Sequence, residues 1–429
     1  MARGGGGLSP AGSPTERALE TVWRRESARI VGALARMTGD LGVAEDAAQE
    51  ALVEALRVWP RDGVPRNTGA WLLAVAKRRA IDAWRRTDAR DERYRTIALE
   101  PAAEEDDTEP IDDDILRLVF TACHPVLSRE SQVALTLRVV GGLTSEEIAR
   151  MLLVPVPTVQ ARITRAKKTL GAAHVPFATP EPDEWAERLG GVLAVVYLLF
   201  TEGYAATSGE RWTREDLANE ALRLGRILAA LLRREPEVHG LVALMELQAS
   251  RFRARYDDAG AAVLLADQDR TRWDRAQIER GRAALRRSDA LGRGRGAYAL
   301  QAAIAECHAV APSVADTDWE RILLLYEALG RLAPNPVVEL NRAVALAMTG
   351  SPEEALALVD AVAASGALRD SHLVPSIRGE LLTRLGRDAE AREELLRAAE
   401  RAGNRTQRDV LRTKAAALAE HLEDDGGRR

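Results

Sequence analysis

Thr158, Gln160, Arg162, Arg165, Lys167 and Lys168 fall within eleven residues that contain no acid. Early on a helix, a glutamine can pair at two points with adenine and an arginine with guanine. Cations placed later suit phosphate oxygens, which fix register without reading sequence. The preceding residues supply a frame for such a helix. Thr144 followed by Glu147 is a capping box that opens a helix over 145–152. A short turn then holds Pro155 and Pro157, and a second helix starts near Thr158, where the threonine can cap it. Helix, short turn and acid-free basic helix are what a helix-turn-helix requires. A plain helical hairpin with a solvated basic face would carry the same residues.

A second basic stretch lies upstream. Residues 71–95 hold eight basic side chains against four acids, and Trp71 and Trp84 interleave with Lys77, Arg78, Arg79, Arg85 and Arg86. Rings that stack on bases and cations that hold phosphates suit single-stranded or melting DNA. The two tryptophans, thirteen residues apart, serve equally well as core residues. Just before this stretch, "GVAEDAAQEALVEALRVWP" places Glu45, Asp46, Gln49, Glu50 and Glu54 on one side of a helix and Ala48, Leu52, Ala55, Leu56 and Trp59 on the other. Such a helix is either a solvated amphipathic face or an acidic docking surface for a basic partner.

The elements that must position these residues are helical throughout. Ala, Leu, Arg and Glu dominate the 429 residues, 46% are hydrophobic and 29% charged, and no stretch alternates β-branched with polar residues. The net charge of −5 averages the two basic patches with the acidic run "EPAAEEDDTEPIDDD" at 100–114. Composition and punctuation divide the chain into a disordered start (1–15), a compact helical unit (16–93), an acidic linker (94–110), a second small helical unit (111–172), a linker (173–182), a long helical extension (183–422) and a disordered tail (423–429). In the extension, "NRAVALAMTGSPEEALALVD" (341–360) aligns with "IRGELLTRLGRDAEAREELL" (377–396) at an offset of 36, which pairs Gly350 with Gly386 and Ala355 with Ala391. That spacing is close to the tetratricopeptide period.

Acidic "AEDAAQEAL", basic "GAWLLAVAKRRAIDAWRR", an acidic linker and "GLTSEEIARMLLVPVPTVQARITRAKKTL" follow one another in the order and spacing of bacterial sigma factors of the extracytoplasmic-function type, which this chain resembles. The resemblance implies an all-α protein with a sigma region 2 helical bundle at 16–93, a sigma region 4 helix-turn-helix domain at 111–172, and a C-terminal tetratricopeptide-like array. Stretches such as "YLLFTEGYAATSGE" (197–210) and "AYALQAAIAECHA" (297–309) resemble the subgroup with that extension. It also implies partners. Asp46, Gln49 and Glu50, with Glu45 and Glu54 at the margin, would dock on the clamp helices of core RNA polymerase. Ala48, Leu52 and Leu56 would face the region 2 core. Trp71, Lys77, Arg78, Arg79, Arg85 and Arg86 would read and melt the −10 promoter element. Thr158, Gln160, Arg162, Arg165, Lys167 and Lys168 would read the −35 element. The extension would set activity through contacts with the sigma domains or the polymerase. Two prolines in "LLVPVPTVQAR" depart from the more polar turn of many such factors.

A one-component helix-turn-helix regulator with a helical sensor, or a tetratricopeptide scaffold, would share parts of this pattern. Cys123 with His124 and Cys307 with His308 are two isolated pairs, far from the repeated spacing of a zinc site, and core packing is their expected role. The stretch "TEGYAATSGE" (201–210) reads as a connection between helices rather than a ligand loop. No nucleophile triad, phosphate loop or metalloprotease motif occurs, so neither an enzyme nor a cofactor is expected. Without a signal peptide or a long apolar run, the reading is a soluble cytoplasmic protein.

Overall fold

The computed structural model describes residues 14–87, 108–152, 154–204, 211–255, 263, 265–402 and 405–426. All regular elements among them are helical, and the chain divides into two compact units, 1–199 and 200–429.

The first unit opens with a three-helix bundle of α1 (Pro14–Thr38), α2 (Leu41–Asp62) and α3 (Thr68–Thr87). Asp40 caps α2, its Oδ1 accepting from the amides of Gly42 and Val43 at 2.6 and 3.1 Å. The helix runs through Pro60 to Asp62, because a proline in the last turn forfeits a single backbone bond. Gly63 then closes it, donating to the Trp59 carbonyl at 3.0 Å. The buried stripe of α2 is mostly alanine: Ala44, Ala47, Ala48, Ala51 and Ala55, with Leu41 and Trp59 at its ends. Small side chains let α1 and α3 approach closely. That rotates Leu56 outward, 44% exposed beside Val53 at 67%, and leaves Leu52 only half-buried. The expectation that Leu56 faces the core is therefore corrected.

Four helices complete this unit before α8: α4 (Thr108–Ala122), α5 (Arg129–Val139), α6 (Ser145–Leu152) and α7 (Val156–Ala172). Helix α4 stops at Ala122. Pro125 disfavours helix at the residue before it. Gln132 Nε2 satisfies the carbonyls of Cys123 and His124 freed there, at 3.1 and 3.0 Å. Helix α5 is buried on nearly every face. The bundle and these helices pack on each other: Arg36 Nε of α1 lies 2.9 Å from Asp114 Oδ2 of α4. At Gly142, with φ +70°, an added Cβ would collide with Ser27 Oγ of α1, so the α5–α6 turn can approach α1 only as glycine.

The division between units falls inside α8 (Trp185–Tyr204), whose first residues pack on α4: Trp185 against Phe120 at 5.2 Å, and Arg188 donating to the Phe120 carbonyl at 3.2 Å. The second unit continues with α9 (Arg211–Leu231), α10 (Pro236–Ala249), α11 (Arg275–Ala290), α12 (Ala297–Val310), α13 (Trp319–Leu332), α14 (Pro336–Met348), α15 (Pro352–Ala364), α16 (Leu373–Arg384), α17 (Asp388–Arg401) and α18 (Arg405–Gly426). From α12 on, each helix packs on the next. The repeat read in sequence is α14–α15 followed by α16–α17. Gly350 and Gly386 turn the chain at positive φ, and Ala355 and Ala391 are fully buried where the second helix of each pair packs.

An unbroken run of helices from 184 was expected. Instead, the stretch between α10 and α11 forms single 3-10 turns at 252–254, 265–267 and 270–272. Arg270 is buried there, donating to the carbonyls of His308 and Ala311 at 2.8 and 2.7 Å, with its guanidinium over the Trp273 ring. This irregular backbone is thus tied to the end of α12. No helix among the described residues is long and apolar enough to cross a membrane.

Candidate nucleic-acid interface

Helices α6 and α7 form the helix-turn-helix frame. The capping box is present in both directions: Glu147 Oε2 accepts from the Thr144 amide at 2.8 Å, and Thr144 Oγ1 accepts from the Glu147 amide at 3.1 Å. Ile148, Ala149 and Met151 of α6 and Val159, Ile163, Ala166 and Leu170 of α7 are buried. Thr158 does not cap α7. The helix starts two residues earlier, after an extended Pro155, because Pro157 has the φ that a first turn needs and no amide to satisfy there. Thr158 instead donates its amide to the Pro155 carbonyl at 2.9 Å, from within that turn. Gln160, Arg165 and Lys168 are exposed, while Thr158, Arg162 and Lys167 are half-buried.

On α3, Trp71 is half-buried and packs edge-on against Trp59, with ring centroids 5.5 Å apart. It serves the bundle with one face and is open on another. Arg78 is exposed, and Lys77 is half-buried. Arg79 is held from α2, with Nη2 3.3 Å from Glu54 Oε2 and Nε 3.8 Å from Glu50 Oε2. The side chains of Trp84, Arg85 and Arg86 lie outside the described residues, although α3 itself extends to Thr87.

The acidic residues of α2 do not form one uniform solvated face. Glu45 is 4% exposed. Its Oε1 lies 2.7 Å from Arg138 Nε of α5, and its Oε2 lies 2.9 Å from Lys167 Nζ of α7. Lys167 Nζ also reaches Asp46 Oδ1 at 2.6 Å. Asp46 and Glu50 are otherwise exposed, Gln49 is half-buried, and Glu54 is taken up by Arg57 at 2.6 Å as well as by Arg79. Burial works to raise the pKa of Glu45, but Arg138 and Lys167 outweigh it and hold the carboxyl below its ordinary value. Lys167 is pushed down by burial and, more strongly in sum, up by Glu45 and Asp46.

This arrangement has a consequence for stability. A folded-state carboxyl held below its ordinary pKa of 4.5 stabilises fully above that pH, and the contribution is lost as pH falls through the lower folded value. The thermal stability of the full chain is expected to fall as pH drops below about 4.5, and Glu45→Gln should flatten part of that slope. An unchanged slope in the variant would show that the triad contributes nothing.

Cys123 is buried with Sγ 3.4 Å from Thr136 Oγ1, and burial pushes its thiol up to about 11. Cys307 is buried as well. Among the described residues no group of three or more His, Cys, Asp and Glu could hold a metal ion. The 205–210 part of "TEGYAATSGE" lies outside the described residues. Sequence reasoning missed Arg138, which has no motif around it. It also missed the pairing of Lys167 and Arg79 with carboxylates of α2.

These two sets of helices match known families. Residues 22–90 match the family described as Sigma-70 region 2, and residues 117–170 match Sigma-70, region 4. Residues 188–289 match a family of unknown function (DUF6596). An uncharacterized protein of Rhizobium meliloti is 44% identical over 406 residues, covering 91% of this chain and 93% of that protein. The ECF RNA polymerase sigma factor SigK of Mycobacterium bovis is 30% identical over 159 residues, 36% of this chain and 84% of SigK. A probable ECF RNA polymerase sigma factor, SigI of Mycobacterium tuberculosis, is 29% identical over 170 residues, 38% of this chain and 58% of SigI.

Proposed function

The chain belongs to the extracytoplasmic-function family of RNA polymerase sigma factors, and from that premise we propose how its helices divide the work of promoter-specific transcription initiation. The α2 carboxylates Asp46 and Glu50, with Gln49, dock on core RNA polymerase. Helix α3 recognises and melts the −10 element through Trp71, Lys77, Arg78 and the basic residues that follow. Helix α7 reads the −35 element, with Gln160 and Arg162 toward base edges and Arg165, Lys167 and Lys168 toward phosphates. The extension regulates this activity. The polymerase performs the chemistry, and the chain supplies address and strand opening.

One observation carries the reading. A single compact unit presents a capped helix-turn-helix with exposed cations on α7, a basic helix that bears a half-exposed tryptophan and, ahead of both in sequence, an acidic helix. Joined on one polymerase, two individually weak DNA contacts act at a high effective concentration. An acidic docking helix supplies steering and register against a basic surface.

Run-off transcription with purified bacterial core polymerase tests this. The full chain is expected to produce transcripts from discrete start sites that core polymerase alone does not use. In the same assay, truncation after residue 199 should change the output if the extension regulates. A chain that shifts a promoter duplex alone, yet never supports initiation, would be a one-component regulator instead.

A further inference from the structure

We propose that the free chain latches itself shut: region 4 offers α2 the cationic surface that the polymerase would otherwise offer, so that docking on polymerase and closure of the chain exclude each other. The inference rests on the reading of Asp46 as a docking residue.

The latch joins groups far apart in sequence, 93 residues for Arg138–Glu45 and 122 for Lys167–Glu45. Glu45 is bridged by both cations and Lys167 spans Glu45 and Asp46, so two adjacent α2 carboxylates face two cations. Arg138 is itself anchored, donating Nη1 to the Leu143 carbonyl at 3.1 Å, which presents its guanidinium at a fixed angle. The ion pairs are sealed by close packing nearby. Gly142 presses on Ser27, a Cβ on Gly32 of α1 would come within 3.1 Å of the Asp114 carbonyl oxygen, and Arg36 pairs with Asp114. This is a fitted interface between the three-helix bundle and the helix-turn-helix unit.

It is also an interface built to open. Ser27 Oγ is buried in it without a hydrogen-bond partner, and Glu45, Arg138 and Lys167 could all be satisfied by water or by new partners on release. Lys167 is among the cations assigned to promoter phosphates, and Asp46 is among the docking carboxylates. One pair of contacts thus blocks both functions, and release of the latch makes both available at once. A basic docking surface on the polymerase competes for the α2 carboxylates, while DNA phosphate competes for Lys167. A chain closed in this way stays off non-specific DNA until polymerase opens it.

A disulfide staple tests the closed state and its consequence together. A Cβ on Gly42 would lie 3.8 Å from the Lys167 Cβ, within the range a disulfide spans. Asp40 Oδ1, 3.0 Å from the added Cβ, belongs to a side chain that can yield. In the full-length chain carrying Gly42→Cys and Lys167→Cys, mild oxidation should form the cross-link in most molecules, as read by mass spectrometry. The oxidised chain should bind core polymerase, without DNA, at least about tenfold more weakly than the reduced chain. Reduction should restore binding. Arg138→Ala, which loosens the latch and leaves the docking carboxylates in place, should bind about tenfold more tightly than the natural chain if the closed state predominates at about nine to one.

Failure of the cross-link to form would overturn the closed geometry. A cross-linked chain that binds as well as the reduced one, or an Arg138→Ala chain that binds no more tightly than the natural one, would overturn the masking. If the natural chain fails to bind core polymerase although the cross-link forms, the docking reading falls and the competition with it, while the closed geometry stands.

Discussion

Replacing Asp46 and Glu50 together by arginine is expected to lower core-polymerase binding, and with it run-off transcription, by at least about 100-fold. Like charges set opposite one another across a docking surface cost several kcal/mol, and a factor of 100 needs only about 2.7. The two positions are exposed enough to reach a partner, Asp46 with 70% of its side chain open. They are also peripheral to the bundle core, so the bundle should fold normally, which circular dichroism would check. The variant separates docking from closure. Asp46→Arg puts a second cation beside Lys167, which destabilises the closed chain, and Glu50→Arg faces Arg79. If these carboxylates served only to close the chain, the double variant would be open and would bind polymerase more tightly. A loss of binding therefore identifies α2 as the docking helix. A gain would leave the carboxylates with an internal role alone.

The local signals of this fold could be read from the chain because each is completed within a few residues. The box of Thr144 and Glu147 and the glycine–alanine spacing of the repeat depend on neighbours three to five positions away. Errors arose where two local preferences competed or a distant partner decided. Apolar periodicity gives Leu56 more weight than Ala55, yet close helix packing favours the alanine stripe, so Ala55 is buried and Leu56 faces out. A proline breaks a helix interior, so Pro60 and Pro157 each favour a boundary nearby. Each instead occupies a terminal turn, where the missing amide costs little, so α2 ends later and α7 begins earlier than the punctuation suggests.

The candidate site divides in the same way. Residue types and spacing single out a basic helix and an acidic helix, because amphipathic patterning is a one-dimensional property. They do not reveal that Lys167 lies against Glu45 and Asp46, or that Arg79 lies against Glu50 and Glu54, because charge alone does not choose among 65 acids. A burial argument could have picked out Glu45. Its neighbours Ala44, Ala47, Ala48 and Ala51 define the buried stripe, and position 45 falls at the edge of it. A carboxylate there must have a partner on whatever packs against α2.

Trp59→Ala should be the most damaging single change to the bundle. The ring is 2% exposed, the largest fully buried side chain among the described residues, and closes the C-terminal end of α2 against Trp71 of α3. Truncating a buried tryptophan to alanine costs about 3–5 kcal/mol, from lost transfer energy and the cavity left behind. That is a large share of the about 5–15 kcal/mol that holds a typical domain together. Trp71 would also lose the ring that orients it, so the loss should extend to the −10-facing side of α3. Amide exchange read by mass spectrometry on the full chain provides the measurement. Peptides over 41–62 and 68–82 should lose about two to three orders of magnitude of protection, and peptides over 373–401 in the second unit should be unchanged. Trp59→Phe, which keeps an aromatic edge against Trp71, should retain most of the protection. Unchanged exchange in Trp59→Ala would mean that the alanine stripe alone holds α2 in place. A uniform loss across both units would mean that the two units unfold as one.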